Sequence, residues 1–342
     1  MVQSTFEELE DILNIYDIAE LAGVSIATVS RVISGNAKVR PETRAKIEAI
    51  MKEHNYSPSM IARGMNSKSL KTIAIAVLSF SNSHHMKIAH EVLSVFSKME
   101  YNVVIYEAGS SIDDVMAFFN RMKDISIDGI VLVSSLFSLI GNDYDKVINL
   151  LGDIPVVIAN GWVQGMYGVL VDEDSGCVDA VNHLVEKGIK QIYYINSNHT
   201  ESSIRKYRGY RSAVLSNNLD EHSIEINKGY SEDDVKNALT RIDFAFGQIG
   251  IICDEDILAL HVVKYIQKMG LRIPDDVSII GYNDSSYCDL VLPHLSSIDN
   301  KAHTLGQKCA EYLSIALKDG TLGDKRILDH IKPELVLRGS SI

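Results

Sequence analysis

Two acidic triplets, Asp172-Glu173-Asp174 and Asp254-Glu255-Asp256, and the pair His84-His85 are the residues of this chain whose types and spacing could do chemistry. Clustered carboxylates can hold a cation, and neighbouring imidazoles can join them. Their places along the chain favour another use. Both triplets stand at the start of a helical segment, where acids complement the helix dipole and leave acceptors at a cleft. His84-His85 lies in the loop that leads into a helical segment, so a metal is not expected there either. No His or Cys has zinc-ligand spacing. The four cysteines (Cys177, Cys253, Cys288, Cys309) are far apart and read as core thiols, not a disulfide framework. There is no G-x-G-x-x-G, no P-loop and no G-x-S-x-G, so dinucleotide, triphosphate and hydrolase chemistry lose their usual support. Neither a cofactor nor a catalytic constellation is expected, and a sugar-processing enzyme remains only as a rival reading.

From Thr72 onward, short β-branched runs alternate with segments of helical period. TIAIAVL, NVVIY, GIVLVS and PVVIA form one series, and GVLV, QIYYIN, GIIC and VSIIGY a second. Such alternation means βαβ units with parallel sheets, here two α/β units of about equal size. A long helix over 302–318 and a strand-like tail over 334–338 close the pattern. Open α/β sheets bind ligands beyond the carboxyl ends of their strands. The strand ends offer Ser79, Phe80, His84, Asn160, Trp162, Glu255, Asp256, Asn283 and Asp284 as cleft candidates, and Lys206 and Tyr230 are candidates besides them. Trp162 is the only tryptophan, and stacking on a sugar ring and ordinary packing suit it equally.

The first seventy residues differ in kind, with helical segments at 16–22, 26–34 and 41–54 and no strand pattern. Ala19, Gly23 and Val29 stand at relative positions 5, 9 and 15 of a helix-turn-helix. The small Ala lets two helices cross, Gly takes the turn and Val29 packs back. Ser25 is a natural N-cap for the second helix, and Pro41 suits the first turn of the third. With Val29 and Val32 inward, Ser25, Ile26, Ala27, Ser30 and Arg31 are left on the outer face, where recognition helices meet base edges.

Charge sharpens this reading. The chain carries −12, yet residues 15–71 hold nine Lys/Arg against five acids, as phosphate contacts require. Residues 1–14 form an acidic extension (Glu7, Glu8, Glu10, Asp11) whose Phe6, Leu9 and Leu13 share one helical face. No signal peptide opens the chain, and its longest apolar stretch, 129–141, falls short of the roughly 20 residues of a membrane span. A cytoplasmic protein with no membrane partner is expected.

The stretch from Ile15 to Ser69 carries A-x-x-A-G-V-S, T-V-S-R-V, N-Y-x-P and A-R-G in order, and it resembles the amino-terminal signature of the LacI/GalR family of bacterial transcription regulators. Gly188, 205–210, Ala259, 280–282 and 293–298 echo that family's sensor domain. The resemblance implies an α/β chain with a three-helix helix-turn-helix headpiece plus hinge helix, then two parallel-sheet subdomains of periplasmic-binding-protein type. Residues 15–58 would be the DNA-binding domain, 59–71 the hinge helix and linker, and 72–342 the ligand-binding and dimerisation domain. The N-subdomain is expected over about 72–160 and 293–320, and the C-subdomain over about 163–290 and 322–339.

The resemblance further implies a homodimer on double-stranded operator DNA, with a sugar or sugar derivative as effector. Base edges would be read by Ser25, Ile26, Ala27, Thr28, Ser30 and Arg31, and the backbone held by Tyr16, Asp17, Asn36, Lys38 and Arg40. Ser59, Ala62 and Met65 would act in the hinge helix, with Met65 where a Leu is usual. The cleft departs from the family pattern. Lys206 stands where an Arg is common, and Glu255-Asp256 replaces an Asn-Asp pair. Asn283 replaces the first Asp of G-[YF]-D-D, and Asn160 lies where an Asp often binds hydroxyls. Lys206, Asp254-Glu255-Asp256 and Asn283-Asp284 are similar to the catabolite control protein A branch, which answers to a phosphorylated carrier protein. That branch has an Arg in the long carboxy-terminal helix where this chain has Glu311.

Overall fold

A computed structural model describes residues 13–33, 38–54, 56, 70–109, 111–125, 127–138, 144–197, 200–226, 231–320 and 327–341. The chain divides into an amino-terminal unit, which reaches to Thr72, and a larger unit.

In the amino-terminal unit, α1 (Ile15–Ala22), α2 (Ile26–Ile33) and α3 (Pro41–Glu53) close on Ile18, Ala19, Ala22, Val29, Val32 and Ile47. Asn14 and Asp17 form a capping box at the start of α1, and Gly23 ends it in the left-handed conformation (φ +66°), which glycine adopts freely. The Thr28 N–H donates to Ser25 Oγ at 3.3 Å, the expected cap of α2. Arg40 precedes α3 without a side-chain cap bond.

The larger unit is built on two six-stranded sheets. The first has the order β11-β5-β4-β3-β1-β2 and the second β12-β10-β9-β8-β6-β7. The first uses β1 (Thr72–Val77), β2 (Asn102–Glu107), β3 (Gly129–Val133), β4 (Val156–Ala159), β5 (Tyr167–Val171) and β11 (Ile327–Ile331). The second uses β6 (Gln191–Asn196), β7 (His222–Glu225), β8 (Ile249–Cys253), β9 (Val277–Tyr282), β10 (Ser296–Asp299) and β12 (Glu334–Val336). Strands β1, β3, β8 and β9 are buried along their whole length, as parallel strands covered on both faces must be. On the first sheet, α4 (Ser83–Lys98) and α11 (Ala302–Asp319) share one core through Ile88, Val92, Phe96, Leu305, Cys309 and Leu313. Helices α5 (Ile112–Asp124) and α6 (Tyr144–Leu151) pack on each other. On the second, α7 (Glu173–Glu186) and α8 (Glu201–Ser216) share a core, and α9 (Glu232–Leu239) and α10 (Asp256–Lys268) share another. All four cysteines are free and buried.

The expected partition of the larger unit is corrected at three strands. β5 pairs with β4 and stays in the first sheet, β10 pairs with β9 in the second, and β11 returns to pair with β5. An apolar run of strand period fits either sheet, so periodicity finds the strand but not its neighbours. The chain therefore passes between subdomains three times, at 171–173, 299–302 and 331–334.

Candidate functional site

The headpiece presents the expected face. Ser25, Ile26, Ala27 and Arg31 are exposed, Thr28 and Ser30 half-buried, and Val29 and Val32 buried beneath them. Ile26 is 41% and Tyr16 65% exposed, which leaves both open to a partner. Lys38 and Arg40 are exposed. The Asp17 Oδ2 accepts the Asn14 N–H at 2.7 Å as half of the capping box. Asn36, Ser59, Ala62 and Met65 lie outside the described residues, as do most of the acidic extension and Tyr230.

In the larger unit the strand ends surround a cavity of ≈ 400 Å³. Ser79, His84, Asn160, Lys206, Glu255, Asp256 and Asn283 line it as expected. Phe80, Trp162 and Asp284 do not, and each has a physical reason. Phe80 is half exposed, with its N–H bonded to the Glu107 carboxylate. The Trp162 indole N–H donates to the Met166 carbonyl at 3.0 Å, and its ring lies against Gly168, which has no Cβ to obstruct it. The Asp284 carboxylate is taken by Arg338 at 2.7 Å. Ser134, Ser135, Ser202 and Asn300 also line the cavity, although none was a candidate. The first two follow β3 and obey the same strand-end rule that found the others. The last two come from the start of α8 and from a crossover, which strand patterns do not reveal.

One buried network organises this wall. Glu173, the first residue of α7, is fully buried, and taking a carboxylate out of water costs several kcal/mol unless partners compensate. Its Oε1 accepts from Asn160 Nδ2 (3.0 Å), Ser202 Oγ (2.6 Å) and Asn300 Nδ2 (3.3 Å). Its Oε2 accepts from Arg205 Nη2 (2.8 Å) and Nε (3.2 Å). Arg205 reaches it because Gly209, one turn further along α8, lies where a Cβ would stand 2.2 Å from the Asp174 carbonyl oxygen, so α7 and α8 approach closely. The first acidic triplet thus splits into three uses: Asp172 caps α7, Glu173 is the hub, and Asp174 pairs with Arg208 at 2.5 Å.

Consecutive helix positions diverge by about 100°, so Lys206 comes only within 4.0 Å of Glu173 Oε1. Its Nζ donates to the Asp254 carbonyl (3.0 Å) and lies 4.0 Å from the centroid of the Tyr282 ring. Arg205 also donates to both oxygens of Asn160. Burial, then the nearby charges of His85, Lys206 and Lys87, hold His84 well below the usual imidazole range, so it is neutral and its Nδ1 has no partner. Burial raises the Asp256 carboxyl above the usual carboxylate range, although Ser297 Oγ and the Ser285 N–H each donate to it at 2.6 Å. Among the described residues no group of three His, Cys, Asp or Glu could hold a metal, and no helix is long and apolar enough to cross a membrane.

Residues 14–59 match the profile described as bacterial regulatory proteins, lacI family, and residues 181–341 match that of a periplasmic binding protein-like domain. An HTH-type transcriptional regulator of Lachnoclostridium phytofermentans is 33% identical over 300 residues, covering 86% of this chain and 90% of that protein. The chain belongs to the lacI family of bacterial regulatory proteins. Catabolite control protein A of Staphylococcus xylosus is 27% identical, covering 86% of this chain and 89% of its own length. The lacI-family fold is also that of a lac repressor dimer bound to operator and an anti-inducer (23% identity, TM-score 0.83, 96% of this chain and 99% of that one). A CelR–cellobiose complex shares it as well (22% identity, TM-score 0.65, the same coverages).

Proposed function

We propose that this lacI-family protein is a sequence-specific transcription repressor, acting as a homodimer, whose operator affinity is set by a sugar or sugar derivative held in the cleft. The observation that carries the reading is the joining in one chain of two parts. One is an exposed recognition face, Ser25 to Arg31, over a closed helix-turn-helix core. The other is a ≈ 400 Å³ cavity whose lining joins hydroxyls and amides to Lys206, Asp254, Glu255 and Asp256. Asn160, Asn283, Asn300, Ser79, Ser134 and Ser135 are groups that pair with ligand hydroxyls. Relatives whose names describe an operator complex and a cellobiose complex support the two halves separately. Effector and DNA affinities are then reciprocally linked through two states of the cleft, whichever sign the response takes.

Selection from a random duplex pool by the full chain tests it. A near-palindromic sequence should be enriched, with affinity falling as salt rises. Failure to enrich any sequence, or steady turnover of a sugar, overturns it.

The relatives named catabolite control protein A support a second reading, a protein corepressor. Glu311 weighs against it: where that branch has an Arg, α11 carries an exposed carboxylate 3.5 Å from Lys308.

A further inference from the structure

We propose that Glu173 is the positioning residue that ties the cleft to the three crossovers, so that a ligand reaching Asn160, Ser202 or Lys206 changes how the two subdomains are held. The inference rests on the regulator reading above. Glu173 follows the first crossover directly, and its donors come from the end of β4 (Asn160), the first two turns of α8 (Ser202, Arg205) and the middle crossover (Asn300). Asn160, Ser202 and Asn300 all line the cavity, as does Lys206, whose Nζ is 4.0 Å from Oε1. One carboxylate therefore holds cleft residues of both subdomains together with part of the hinge.

The crossovers are also tied to each other. The Asp172 N–H donates to the Ile331 carbonyl at 2.9 Å, joining the first to the third. Lys301 Nζ lies 2.9 Å from Asp299 and 2.5 Å from Glu334, joining the second to the third. Asn160 (φ +59°), which touches this carboxylate, Asn283 (φ +98°), which accepts from Asn300, and Lys301 (φ +54°), in the second crossover, hold left-handed backbone. Such a conformation in residues other than glycine persists only where the surroundings fix it, and it clusters at switching segments. A buried charge tolerates its site only while its donors stay in place. Moving α8 away from β4 removes Arg205 and Ser202 from one side of Glu173, or Asn160 from the other. The crossovers must then rearrange.

Hydrogen exchange of the full chain tests this with E173Q, which keeps the volume but removes the charge facing Arg205 and Lys206. Exchange should rise at least ten-fold in peptides covering 158–175 and 296–303 and stay unchanged in 249–268. Affinity for the duplex selected by the wild-type chain should shift at least three-fold. Unchanged exchange, a rise equal everywhere, or a local rise with wild-type duplex affinity overturns the proposal. If E173Q does not fold, S202A decides by the same pattern, with a three-fold local rise as the threshold. A wild-type chain that selects no duplex defeats the regulator reading instead, and the exchange pattern alone then decides for or against Glu173.

Discussion

Arg205 donates to both oxygens of Asn160, the backbone carbonyl at 3.2 Å and the side chain at 2.9 Å, and so bridges the second subdomain to the first across the cleft. The Ser202 N–H does the same to Ser135 Oγ at 3.2 Å, and Lys87 Nζ to the Asp284 carbonyl at 3.0 Å. Arg205 differs from these in also neutralising Glu173, and both side chains are buried, so the pair is little screened by water.

Removing that guanidinium should therefore be costly. R205A leaves a buried carboxylate short of its main counter-charge, and about 3–5 kcal/mol of stability should be lost. Urea denaturation followed by the fluorescence of Trp162, two residues from Asn160, checks this. A loss below about 1 kcal/mol would mean that the network does not hold the subdomains together.

His84 makes stability pH-dependent. Burial first, then His85, Lys206 and Lys87, lowers its folded pKa below the unfolded value of 6.5. The unfolded chain then binds the extra proton, so this contribution is complete above 6.5 and is lost as pH falls through the folded value. Melting temperatures from pH 8 to pH 5 should drop more steeply for the wild type than for H84N. Parallel curves would contradict it.

Recognition-helix and backbone contacts should separate by salt. On the proposed reading Arg31 meets a base edge, and R31A should weaken binding to the selected duplex ten- to hundred-fold, the effect of about 1–3 kcal/mol. On the same reading Lys38 meets a phosphate, and K38A should weaken all duplexes alike, lowering the salt slope by about 1. Anisotropy titrations at several salt concentrations distinguish the two. Equal losses on selected and random duplexes for R31A would remove it from the reading face.

Leu13 packs against the headpiece core, and the sequence before it carries Glu7, Glu8, Glu10 and Asp11. Deleting residues 1–12 should tighten duplex binding at low salt and leave it unchanged at high salt, where charge is screened. Unchanged affinity at low salt excludes a repulsive role.

Much of this was legible in the chain because local rules decided it. Ala19, Gly23 and Val29 have one geometry that satisfies all three, and Tyr144–Leu151 forms a helix with the bounds its period gives. Strand ends found His84, Asn160 and Asn283 for the same reason, while Lys206, inside α8, came from the family resemblance. What stayed hidden is non-local. Glu173 reads as one more helix-start acid until Asn160, Ser202, Arg205 and Asn300, between 13 and 127 positions away, are folded around it. Trp162 and Phe80 also follow strand ends, and only packing shows them turned elsewhere. β11 follows the long α11 and had no pattern of its own; its pairing with β5 makes it a strand of the first sheet.

The central claim is that DNA binding by the headpiece answers to a hydroxyl-bearing ligand in the cleft. The direct measurement is the affinity of the full chain for its selected duplex, by anisotropy, across a panel of mono- and disaccharides that calorimetry shows to bind. At least one bound sugar should shift duplex affinity about five-fold or more, with the duplex shifting sugar affinity by the same factor. Duplex affinity indifferent to every sugar that binds would contradict the account.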